Sequence, residues 1–246
     1  MVRHVDYESR KKSVLGATIT HYIREAIPVA SDDIASYFDL SSATIRSIFA
    51  ELEVSGYLTH PYTSGGRIPT DKGYRYYVDF LLSQMELLAG EKEHISLQFK
   101  REIKELDKAL EEATEVLSSI THCTGIISFQ EWEDRYFYRG VSRILEQPEF
   151  RDFDKMRMLI KLLEEKENIL DIINRDSSDK VKVYIGREIG CPQIENCSLI
   201  VSSYRRKNKP SGKLAVLGPA RMEYNHIIPT LEYISVVLTD LLDNIK

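Results

Sequence analysis

The chain has 246 residues, 43% of them apolar and 29% charged, with 33 Lys and Arg against 38 Asp and Glu for a net charge of −5. That length and mix describe one or two ordinary globular domains. The acidic balance excludes a protein that coats nucleic acid or anionic membrane by net charge, while leaving room for a local basic surface. The longest apolar runs fall well short of the roughly 18 residues of a membrane span. Met1 to Asp6 lack the apolar core of a secretory signal. Three cysteines, Cys123, Cys191 and Cys197, are an odd set that suits reduced thiols. A cytoplasmic protein with no membrane partner is expected.

Residues 9–26 place Val14, Leu15, Thr18, Ile19, Tyr22 and Ile23 on one helical face. Pro28 stops that helix. Ser31 is the expected N-cap of a short helix, Asp32 to Phe38, whose first-turn acids suit the helix dipole. Ser41 or Ser42 caps a third helix running to about Ser55. Its stripe is Ile45, Ile48, Phe49 and Leu52, and Gly56 closes it. Tyr57 to Thr59 reads as a strand, Thr63 to Arg67 as a flexible tip, and Ile68-Pro69 as the return. Thr70-Asp71 caps a further helix carrying Tyr74, Tyr77, Val78, Leu81 and Leu82. Three helices followed by a glycine-tipped hairpin is the order of a winged helix-turn-helix.

A charge-rich amphipathic helix is expected from about Gly90 to Ile120, through Ile95, Phe99, Ile103, Leu106, Leu110, Ala113 and Leu117. The period then changes. Strands are expected at 125–129, 136–141, 181–185, 197–204 and 213–217. Helices are expected at 154–173 and 224–245, and a polar loop at 205–212. Helices bracketing a small antiparallel sheet make this part α+β. The resulting divisions are 1–80, a helical linker or first helix at 81–122, and 123–246.

The chemistry lies in Ser41 to Thr70. A helix-turn-helix offers the N-terminal residues of its second helix to the major groove. At 100° per residue, Ala43, Ser47 and Ala50 point away from the buried stripe, flanked by Thr44 and Arg46. Small residues let a backbone sit close to DNA, and Arg can grip guanine or phosphate bidentately. Ser42 and the free amides of the first turn can hold a phosphate. Gly65-Gly66 at a hairpin tip would let Arg67 reach a narrow minor groove or a phosphate. Local charge is neutral on the matter, since residues 1–80 carry nine Lys and Arg against ten Asp and Glu. A plain three-helix packing unit with a solvated polar face is the bland alternative.

The strings Ser41-Ser42-Ala43-Thr44-Ile45-Arg46, Leu52-Glu53, Gly56-Tyr57-Leu58 and Thr63-Ser64-Gly65-Gly66-Arg67-Ile68-Pro69-Thr70 closely resemble the DNA-binding domain of the HrcA family of bacterial heat-inducible transcription repressors. Gln147-Pro148-Glu149-Phe150, Tyr184 to Glu188, Asn196 to Ile200 and Gly218 to Tyr224 extend the resemblance. It implies a winged helix followed by a GAF-like domain. It also implies a homodimer that represses chaperone genes from an inverted-repeat operator on double-stranded DNA, and the GroEL chaperonin as a partner. Carried over by position, Ser42, Ala43, Thr44, Arg46 and Ser47 belong to the recognition helix, and Thr63, Ser64, Gly65, Gly66 and Arg67 to the wing. Ser47 stands where the family usually has Asn, which could read adenine bidentately as Ser cannot. Gly65 replaces the usual Ala. The family's inserted subdomain is missing, because the Gly140 match follows Phe129 within a dozen residues.

Cys191 and Cys197 lack zinc spacing and the six His are scattered. No phosphate-cradling or nucleophile-elbow motif occurs. No catalytic residue, metal or cofactor is therefore expected. The alternative function is a ligand-responsive regulator with the same DNA reader and a small-molecule site in the GAF-like half.

Overall fold

The computed structural model describes residues 2–62, 65–82, 87–99, 106–129, 136–176, 181–207 and 209–244, without the side chains of residues 2–6, 166, 209 and 210. Contacts divide the chain into two compact units, Met1–Ser83 and Gln84–Lys246.

In the first unit, α1 (Val2–Glu25) buries Val14, Leu15, Thr18, Ile19 and Ile23 at helical spacing. It stops at Ala26, which adopts a left-handed φ of 54°, two residues before Pro28. In α2 (Ser31–Phe38) the N-cap is Ala30, and Ser31 is already helical. The expected hydroxyl cap is replaced by Asp33, whose carboxylate accepts the Ala30 N–H at 2.8 Å. The acid at the third helical position satisfies the N-cap's own N–H, a different donor from the first-turn N–H groups that a hydroxyl cap would serve.

Helix α3 (Ser42–Val54) is capped by Ser41, whose Oγ accepts the Thr44 N–H at 3.1 Å. Ile45, Ile48, Phe49 and Leu52 are all buried. Each such side chain removed from water contributes on the order of 1.5–3 kcal/mol. The helix ends in a Schellman turn. Tyr57 N–H donates to Leu52 O and Gly56 N–H to Glu53 O, both at 2.9 Å, with Gly56 at φ 75°.

Strands β1 (Leu58–Thr59) and β2 (Ile68–Pro69) pair antiparallel, and Val29 bridges Arg67 on the far side of β2. Helix α4 (Asp71–Leu81) begins at Thr70, whose Oγ1 accepts the Gly73 N–H at 3.1 Å. A Cβ on Gly73 would stand 2.3 Å from Tyr57 O, so the helix can approach the wing only with glycine there. Tyr74 and Val78 are buried, while Leu82, expected inward, is 44% exposed. The first unit is a winged helix-turn-helix.

In the second unit the single long helix expected over 90–120 is two described helices, α5 (Ala89–Gln98) and α6 (Leu106–Thr121). The first closes at Phe99, whose N–H turns back to Ser96 O at 3.2 Å, a tightened last turn. Ile103 lies outside the described residues. Strands β3 (Thr124–Phe129), β4 (Tyr136–Arg139), β5 (Lys182–Ile185), β6 (Cys197–Arg206) and β7 (Lys209–Pro219) form an antiparallel sheet in the order β4-β3-β7-β6-β5. Helix α6 packs on one face with α10 (Tyr224–Asn244). Gly125 permits this contact, because a Cβ there would meet Thr114 O at 2.9 Å. The alternate residues Ile126, Leu199, Val201, Ala215 and Leu217 face a second core with α8 (Phe153–Glu164) and α9 (Lys166–Asn174).

Three expectations change here. The helix expected over 154–173 breaks at Glu165, because one continuous helix would turn Lys166 and Glu167 onto the stripe of Leu159, Leu162 and Leu163. The strand expected to reach Val141 stops at Gly140, φ 82°, and Val141 opens α7 (Val141–Leu145). The expected polar loop 205–212 is largely strand, since ladder bonds run to Arg206 and resume at Lys209 despite the polar side chains. Arg221 then joins two distant strings. Its Nε donates to Glu149 Oε1 at 2.6 Å and its Nη2 to Gln147 Oε1 at 2.8 Å. The whole is α+β, a winged helix-turn-helix followed by a GAF-like domain.

Candidate nucleic-acid interface

Helix α3 is held against α1 by its own polar flank. Tyr7 Oη donates to Glu51 Oε1 at 2.6 Å and Lys11 Nζ lies 3.4 Å from Glu51 Oε2. The Tyr7 bond holds the Glu51 carboxyl below the usual range and, with burial, raises the phenol. With that side fixed, α3 turns Ala43, Arg46, Ser47 and Ala50 to solvent. Ser42 and Thr44 are half-buried and already bonded: Ser42 Oγ donates to the Asp32 carboxylate on α2, and Thr44 Oγ1 lies 2.9 Å from Ser41 Oγ. A carboxylate beside the first turn of α3 makes that turn a poorer phosphate seat than the sequence suggested. The outward face is thus small side chains around one guanidinium.

Thr63 and Ser64 lie outside the described residues. Gly65 N–H donates to Tyr62 O at 2.9 Å, closing a turn. Gly66 is a close-approach position: a Cβ there would stand 2.6 Å from Val29 O and 2.7 Å from Pro28 O. The flexible tip expected of the two glycines is therefore in part a packed contact. Arg67 is not at the tip. Its N–H and C=O both bond Val29 at 2.9 Å, and its guanidinium turns inward. Nη1 donates to Gly65 O at 3.2 Å, while Nε, shielded from solvent, lies 3.0 Å from Glu53 Oε2 without hydrogen-bond alignment.

Glu53 is the residue the sequence reasoning passed over, although its string was noted. Its other oxygen bonds His60 Nδ1. The β1–β2 register pairs Leu58 with Pro69 and Thr59 with Ile68, so His60 and Arg67 fall at the next rung. The missing signal was that register, because hairpin pairing depends on a turn length the sequence left open. Among the described residues no group of three or more His, Cys, Asp or Glu stands where it could hold a metal ion. No described helix is long and apolar enough to cross a membrane.

Residues 128–228 match the family model described as the HrcA protein C terminal domain. The chain is 28% identical to the heat-inducible transcription repressor HrcA of Symbiobacterium thermophilum, covering 95% of this chain and 98% of the relative. It is 28% identical to the repressor of the same name from Geobacter sulfurreducens, covering 97% and 99%. The first alignment has 335 positions against a chain of 246 residues, so at least 89 positions of the relative have no counterpart here. That internal gap agrees with a missing insert. A crystal structure of a hypothetical protein shares the fold, with a TM-score of 0.78 at 19% identity over 95% of this chain and 97% of that one. With likeness running through both units and nearly end to end, the chain is similar to the HrcA repressors along almost its whole length.

Proposed function

We propose that the protein is a DNA-binding transcriptional repressor of heat-shock chaperone genes, which holds an inverted-repeat operator as a homodimer and lets go on heat stress. The observation that carries this is the outward face of α3, with Ala43, Ser47 and Ala50 exposed around Arg46 beside a hairpin wing. Curated relatives named as heat-inducible repressors agree with it. In this reading Ser42, Ala43, Thr44, Arg46 and Ser47 enter the major groove, and Arg46 supplies the charged contact to guanine or phosphate. The wing string Thr63, Ser64, Gly65, Gly66 and Arg67 lies beside the flanking groove, with the Arg67 guanidinium turned back to Glu53. A two-fold axis sets the paired helices about 34 Å apart, one turn of DNA.

Release follows from mass action. A marginally stable fold loses its DNA-binding population as temperature rises, and a chaperonin of the GroEL type that keeps the repressor in its active fold makes the folded fraction depend on chaperone availability. The site of action is the cytoplasm. With the insert missing, the dimer contact is made by residues retained in this chain. The test is a gel shift on an inverted repeat and on a scrambled duplex of the same composition, across a salt series. Tighter binding to the repeat, falling steeply with salt and lost at heat-shock temperature, is expected. Equal affinity for both duplexes overturns the reading.

A further inference from the structure

We infer that Glu53 sets how strongly the wing grips DNA, by withholding the Arg67 guanidinium from phosphate. The inference rests on the DNA-binding reading above and concerns the same surface. Arg67 is the one cation of the glycine-tipped string Thr63 to Thr70, so a free side chain there would be the wing's natural phosphate contact. The geometry takes it out of play. Glu53, in the last turns of α3, places Oε2 3.0 Å from Arg67 Nε, and the two side chains are 26% and 25% exposed. Gly65 O accepts from Nη1 at 3.2 Å. The Arg67 main chain is pinned to Val29 by two bonds, so the residue cannot leave Glu53 by a shift of the strand. On the other side His60 Nδ1 bonds Glu53 Oε1, which fixes the carboxylate between the two residues of that rung.

The consequence is electrostatic. Each cation that neutralises a phosphate releases counterions and steepens the fall of log affinity with log salt by about 0.9. A guanidinium already neutralised by its own chain releases none. Glu53 already balances the Arg67 charge, so the wing approaches DNA through its backbone while that charge is spent within the chain. Glu53 is a positioning residue: it acts through Arg67 rather than on DNA.

The experiment measures affinity of the full chain for the scrambled duplex by fluorescence anisotropy from about 50 to about 200 mM salt. Thermal melting of each variant serves as a folding control. R67Q is expected to keep the wild-type salt slope, because its charge was not in use. E53Q is expected to bind several-fold tighter with a slope steeper by about 0.9. The double variant E53Q/R67Q is expected to return to the wild-type slope. A slope that falls by about 0.9 in R67Q would show Arg67 already on phosphate and overturn the inference. So would an unchanged slope in E53Q, or a steeper slope that persists in the double variant. Should E53Q fail to fold, R67Q alone decides. Loss of the wild-type preference for the repeat would overturn the repressor reading and leave this comparison intact. Failure to bind either duplex would overturn both.

Discussion

The carbonyl oxygen of Val29 lies 2.6 Å from the point where a Cβ on Gly66 would stand. This contact ties the wing to the segment between α1 and α2, and the paired bonds between Val29 and Arg67 complete it. Gly66→Ala must push the hairpin off that segment. A loss of about 1–3 kcal/mol is expected in thermal or denaturant unfolding, with weaker DNA binding. Gly65→Ala, with only Tyr62 O at 3.3 Å, should be milder. Equal effects at the two positions would contradict this account of the wing.

Arg46→Ala tests the recognition face alone. The side chain is exposed, so the melting temperature should hold while operator affinity drops by about 1–3 kcal/mol and discrimination against altered repeats relaxes. A uniform loss on repeat and scrambled duplex would recast Arg46 as a phosphate contact.

Arg221 and Glu149 are 12% and 23% exposed and joined at 2.6 Å. Arg221→Ala leaves Glu149 and Gln147 without that donor. It should cost about 1.5–3 kcal/mol, read as a lower urea midpoint at unchanged slope. A midpoint equal to wild type would mean that water replaces the guanidinium at no cost.

Burial pushes the Cys123 thiol from an ordinary 9.0 up to about 12, and raises Cys197 as well. The folded chain therefore keeps these protons where the unfolded chain has lost them. Their contribution is complete below pH 9 and is lost as pH climbs toward about 12. In unfolding titrations between those limits, Cys123→Ala should lose stability less steeply with pH than wild type. Native protein at neutral pH should resist thiol reagents until denatured; rapid labelling would place the thiols at the surface.

Much of the first unit was legible because its signals are local. The stripe Ile45, Ile48, Phe49 and Leu52, the Ser41 cap and the Gly56 turn are properties of a dozen consecutive residues, and each held. The cap at Ala30 was misplaced by one residue because two acceptors lie close together there, the Ser31 hydroxyl and the Asp33 carboxylate two residues on, and only packing chooses. The end of α5 at Phe99 and the break at Glu165 were obscured for a different reason. Apolar spacings of three and four persist across a bend, and the spacing alone does not say which turn meets the core.

The sequence by itself determined where the helices, the hairpin and the Arg46 face lie, since capping, periodicity and turn chemistry act between residues a few positions apart. The tertiary structure decided what the wing does with its charge. Arg67 looked free because its partner, Glu53, is fourteen residues away on another element. Only the hairpin register, fixed by the close approach of Gly66 to Val29, brings carboxylate and guanidinium together.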